Sequence, residues 1–156
     1  MSTFISSAPL IIRSGLGNID TSELMPLGTR AVDNEGNVYI YLKGIGSTVV
    51  GSWVAYNESY QTSLLTETIA AKLYPVAVAT AITVASTYGW YQIAGYRTLA
   101  MVKASCAKEA LLYATTTAGS LDDAGTTTIH GAVAITTVVA AGTTDVLLNY
   151  PHPSAA

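Results

Sequence analysis

Apolar residues recur along this chain with a period of two rather than 3.6, so the elements the pattern predicts are strands. Residues 76–84 read Val-Ala-Val-Ala-Thr-Ala-Ile-Thr-Val, an alternation that puts β-branched groups on one face of a strand and small groups on the other. Residues 37–42 carry Val38, Tyr39, Ile40, Tyr41 and Leu42 without interruption, and a strand apolar on both faces is buried on both. A strand over 29–32 leads into it through Asp33-Asn34-Glu35-Gly36, residues that favour a tight turn. Further strands are predicted at 48–55, 89–95, 99–105, 110–114, 131–140 and 144–149. Those at 89–95 and 99–105 read as a hairpin, and the last two are joined through Ala141-Gly142-Thr143.

Two segments depart from this rhythm. Within 59–74, Leu64, Leu65, Thr68, Ile69, Lys72 and Leu73 suit a short amphipathic helix stopped by Pro75, with loops and one strand as the rival reading. The first 27 residues hold no sustained period and are broken by Pro9, Gly15, Gly17, Asp20 and Pro26, which predicts an extended arm over 1–27. Its apolar cluster Pro9-Leu10-Ile11-Ile12 would lie on the body of the protein or on a neighbour, an ordinary first strand being the alternative. A single β-rich domain over 28–150 and a tail over 151–156 complete the expected organisation. About eight or nine strands at roughly ten-residue spacing give an all-β fold class, an antiparallel β-barrel or β-sandwich with an extended N-terminal arm.

Composition turns this fold into an expectation about partners. Only 11% of residues are charged while 50% are hydrophobic, against about 25% charged in ordinary soluble domains. Ser, Thr, Gly and Ala must therefore cover much of the outside, and such a surface is readily buried against protein because few charges need desolvating. That favours a subunit that associates with itself and with a larger assembly. The net charge of −3 and the singly scattered Lys and Arg argue against nucleic acid. The apolar stretch 73–85 is too short to span a bilayer and no basic region precedes the apolar N-terminal residues, so neither a membrane nor a secretory route is expected. The single cysteine, Cys106, reads as a small buried hydrophobe.

Candidate chemistry is sparse. His130 and His152 are the only histidines; His152 sits in the tail, and His130 at a strand edge has no base or acid partner that spacing identifies. Asp122-Asp123 is the one adjacent acidic pair and suits a solvated turn. Gly15-Leu16-Gly17 and Gly44-Ile45-Gly46 lack the remaining elements of a dinucleotide fingerprint. No enzyme, catalytic residue, metal or cofactor is expected. Aromatic residues are the remaining candidates: Trp53 and Trp90 read as core plugs, whereas Tyr56, Tyr60 and Tyr96, beside polar residues, suit interfaces or sugar-binding platforms.

At 37–43, Gly51-Ser52-Trp53-Val54, Pro75-Val76-Ala77-Val78-Ala79 and Tyr88-Gly89-Trp90-Tyr91-Gln92-Ile93-Ala94-Gly95, the chain resembles the small decoration or cement proteins of tailed-bacteriophage heads. The likeness covers about residues 27–149 and lies in a rhythm of strands and glycines. It implies a β-barrel or β-sandwich that forms a homo-oligomer, commonly a trimer, on the major capsid protein lattice. It further implies assembly in the host cytoplasm, a place on the virion exterior, and no catalytic residues. Pro9, Leu10, Ile11, Ile12, Tyr56, Tyr60 and Tyr96 would then supply interface contacts. The alternatives are another virion component, such as a fibre, tail or head-closure subunit, or a carbohydrate-binding β-module.

Overall fold

The computed structural model describes residues 15–155, so the Pro9–Ile12 cluster and most of the expected arm lie outside the described residues. The fold is all-β, with 43% of the described residues in strands and 3% in helix. Strands β1 (Arg30–Val32), β2 (Val38–Lys43), β3 (Trp53–Tyr56) and β4 (Thr62–Leu64) precede a one-turn helix, α1 (Glu67–Ala70). Then follow β5 (Val76–Ala79), β6 (Tyr88–Val102), β7 (Leu111–Ala114), β8 (Leu121–Asp122), β9 (Thr128–Ala134) and β10 (Gly142–Pro153). All ten join one mixed sheet.

The β1–β2 connection forms as its residues demand. Asp33 accepts hydrogen bonds from the Glu35 and Asn37 amides, both at 2.9 Å, from Asn37 Nδ2 at 2.8 Å and from the Tyr39 hydroxyl at 3.0 Å. Burial works to raise its pKa, but these donors outweigh it and hold the carboxyl below the usual range. Both readings of 59–74 hold a share, since a short strand is followed by a helix whose N-cap, Thr66, accepts from the Ile69 amide. Leu73 ends this turn in the left-handed region two residues before Pro75.

Strand β6 organises everything else. Its first half pairs with β2 and β5, and its second half with β10. Two circuits of pairing result. From β6 the ladder passes through β8, β7, β9 and β10 and returns to β6. On the other side it passes through β5, β3 and β4, and a bridge between Lys43 and Gln61 carries it to β2, which pairs β6. The hairpin expected over 89–105 is therefore corrected to one continuous fifteen-residue strand. Gly95 adopts positive φ where the pairing of β6 passes from β2 to β10, so the strand bends there instead of reversing, and Leu99, also at positive φ, lies at a bulge within the β10 pairing.

The alternation read at Val76-Ala77-Val78-Ala79 is what the fold uses. Val76 and Val78, with Trp53 and Ala55 of β3, face a core shared with Val102, Leu112, Leu121, Ile129 and Leu148. Ala77 and Ala79, with Val54 and Tyr56, face a second core built on Ile40, Leu42, Tyr91 and Ile93. Strands β3 and β5 are thus buried on both faces and form the wall between the two. The strand ends at Ala79, and beyond it Ile82 and Val84 are exposed. Trp90 and Tyr41 stack edge to face over Met25 and Ala31, and the Tyr41 hydroxyl donates to the buried Asp20 at 2.7 Å. That bond, with the bridge from Asp20 to Tyr88, lays residues 20–25 on the body.

At the other terminus, residues 151–153 are not tail but the end of β10. Here β10 pairs only β9, because β6 has turned away to β2, and prolines, which lack an N–H, fit such an open edge.

Candidate binding surfaces

Trp53 and Trp90 are buried, and Trp53 Nε1–H donates to the Met101 carbonyl at 2.9 Å, so neither indole is available as a platform. The tyrosines divide between two surfaces.

The first is an open groove of about 620 Å³ lined by Arg30, Tyr56, Asn57, Glu58, Tyr60, Tyr74, Pro75 and Tyr150. Its shape starts from a turn: Asn57 Oδ1 accepts from the Ser59 and Gln61 amides, and Tyr60 N–H donates to the Asn57 carbonyl. This holds Tyr60 at φ 57°, where its ring stacks on Tyr56 with centroids 6.4 Å apart. Gly28 makes room for that ring, since a Cβ there would run into it. Tyr56 departs from the expected rim contact: it is 8% exposed and forms the floor, packed with the second core. Burial pushes its phenol pKa up, and the Arg30 charge opposes part of that rise. Across the groove the Arg30 guanidinium lies 5.8 Å from the ring centre of Tyr150, within cation–π range. Arg30, Tyr74 and Tyr150 were not legible as site residues, because only the tertiary fold brings β1, residues 74–75 and β10 to the 56–60 turn.

The second surface carries Tyr96, away from the groove. Tyr96 pairs with Leu147, Leu147 with Val133, and Val133 with Leu111, so one register row crosses β6, β10, β9 and β7. Directly opposed residues share a face, and their neighbours Val146, Leu148, Ala132, Ala134 and Leu112 point into the core. The row therefore faces outward. Tyr96 is 67% exposed, Leu111 52% and Leu147 39%, giving an apolar ridge about 14 Å wide at the usual strand spacing.

Nothing assembles around Cys106. It is buried, and burial together with the Asp123 and Asp122 charges raises its thiol pKa, the opposite of nucleophile activation. His130 faces His152 instead of a thiol or carboxylate. Among the described residues no helix is long and apolar enough to cross a membrane, and no group of three or more His, Cys, Asp or Glu could hold a metal ion. Comparison with known proteins finds no matching family, no matching characterised relative and no matching solved structure.

Proposed function

We propose that this chain is a structural subunit that associates with copies of itself on a larger assembly, as a decoration protein on the exterior of a phage shell bound to the major capsid protein. The observation that supports this most is the outward row Tyr96–Leu147–Val133–Leu111 on a protein with so few charges. Burying a large apolar side chain contributes about 1.5–3 kcal/mol, so a few such residues covered by a second copy supply a useful part of an interface. The stretches that resemble head decoration proteins form β2, β3, β5 and the first half of β6, so they bear on the fold and not on the contact surface. Sedimentation velocity of the full chain tests self-association: an oligomer is expected, and Leu147→Asp, at an exposed position, is expected to give a folded monomer. A wild-type monomer at high concentration refutes the reading.

The groove favours a second reading, a carbohydrate-binding module. Phenol rings offer flat faces to the C–H side of a pyranose, while Arg30 can only donate and Glu58, when ionised, can only accept. The two are not an ion pair; among the described residues that contact is made only by Lys108 and Glu109. Vicinal hydroxyls both donate and accept, so a single sugar can satisfy both groups. Saturation-transfer NMR with glucose, galactose and N-acetylglucosamine oligomers is expected to show binding that Tyr60→Gly weakens at least tenfold, and absence of any transfer removes this reading.

A further inference from the structure

We propose that His130 and His152 form a two-imidazole site for a first-row transition-metal ion, with its remaining positions open to water or to a donor from another molecule. This inference rests on neither functional reading above. It begins with a backbone irregularity. Between Leu148 and His152 the β9–β10 register shifts, so residues 149–151 of β10 stand against Gly131 alone. Gly131 has φ 75°, and a Cβ on it would collide with the Asn149 carbonyl, so the bulge is built around glycine. Tyr150, at φ 47°, completes it. The effect is to set His152 directly opposite His130 in the resumed register, with both side chains exposed and the ring centroids 5.6 Å apart.

Both rings stand on anchored backbone. Pro151 and Pro153 are buried on either side of His152, and Ser154 N–H donates to the Thr128 carbonyl at 2.8 Å just beyond. His152 Nδ1 lies 3.1 Å from the Tyr150 carbonyl oxygen. A carbonyl only accepts, so the neutral ring carries its proton on Nδ1 and presents the Nε2 lone pair outward. A backbone carbonyl on the far nitrogen is the arrangement that commonly orients ligating histidines.

The spacing fits a metal as well. With metal–nitrogen bonds of about 2.0–2.1 Å, two imidazoles bound through Nε2 at a tetrahedral angle place their centroids roughly 5.2 Å apart. A small adjustment of either exposed ring closes the difference. Two neutral imidazoles suit Cu²⁺, Ni²⁺ and Zn²⁺ and not Ca²⁺ or Mg²⁺, which take oxygen ligands. Among the described residues no third Cys, His, Asp or Glu joins the pair. The chain itself therefore supplies two ligands, and the affinity order is expected to place Cu²⁺ above Zn²⁺.

The test is isothermal titration of the untagged full chain with CuCl₂, NiCl₂, ZnCl₂ and, as control, CaCl₂, alongside NMR of the histidine ring protons. Cu²⁺ is expected to bind one per chain, and Ni²⁺ or Cu²⁺ to broaden the His130 and His152 signals before any others. His130→Gln and His152→Gln should each weaken binding at least tenfold, with circular dichroism unchanged. Equal metal uptake by wild type and the double variant, or broadening centred elsewhere, overturns the proposal. So does failure of the wild type to bind Cu²⁺.

Discussion

Gly51 and Gly36 share nearly the same backbone angle, φ 87° and 86°, but differ in what surrounds them, and alanine at each separates two physical effects. A Cβ at Gly36 meets nothing within 4 Å. At Gly51 it would overlap the Leu99 carbonyl oxygen and lie 2.8 Å from the carbonyl carbon, both backbone atoms. The left-handed conformation costs any non-glycine residue about 1–2 kcal/mol, a term common to both variants. A stiffer unfolded chain offsets roughly 0.4–1 kcal/mol in each. Relieving the overlap at Gly51 means moving it away from β6, which threatens the 2.9 Å bonds from Gly51 N–H to the Ala79 carbonyl and from Met101 N–H to the Gly51 carbonyl. Buried groups left unpaired cost about 1–3 kcal/mol each, so Gly51→Ala should lose roughly 2–6 kcal/mol more than Gly36→Ala. At about 2–4 °C per kcal/mol for a chain of this size, the melting temperatures of the two variants should differ by at least ~4 °C. The larger losses approach the roughly 5–15 kcal/mol stability of a whole domain. Urea and thermal unfolding followed by circular dichroism measure the difference directly. Equal losses within ~1 kcal/mol would mean that Leu99 yields at little expense, refuting the claim that the overlap at Gly51 breaks these hydrogen bonds.

Burial comes first among the causes that raise the pKa values of Tyr41, Tyr56 and Tyr91. These phenols stay neutral in the fold when the unfolded chain already ionises, so stability should be intact below about pH 10 and fall as pH climbs beyond it. Absorbance at 295 nm should then show a late group of tyrosines that ionises only with unfolding; ionisation of all ten well before unfolding contradicts this. Cys106, buried and with its thiol pKa raised by burial and the two neighbouring aspartates, should react with a disulfide reagent only at the rate of opening. Rapid labelling of native protein would place it at the surface. Tyr41→Phe removes the hydroxyl that donates to buried Asp20 and should lower stability by about 1–3 kcal/mol, read by urea denaturation, and a neutral result would show that Asp20 is satisfied elsewhere.

What the sequence reveals here is local. The Asp33 turn, the doubly buried β2 and the two-faced Val-Ala repeat follow from residue type and period, because neighbouring residues supply the interactions. The hairpin misreading at 89–105 shows the limit. A glycine that bends a strand and a glycine that reverses it look alike until the partner strands are known, and those partners, β2 and β10, lie far away in the chain. The groove was half legible: Tyr56 and Tyr60 stand four residues apart on one turn, whereas Arg30 and Tyr150 come from opposite ends of the domain. His152 read as tail because Pro-His-Pro lacks strand character, and only an edge beside a bulge accommodates it.

Because both circuits of pairing run through the same fifteen residues of β6, neither half of the molecule owns a complete set of hydrogen bonds. A slip of one position along that shared spine would turn side chains outward in both cores at once. The protein should consequently melt as one cooperative unit, its slowest-exchanging amides spread along β6 from Trp90 to Val102, and neither half should survive excision from the other.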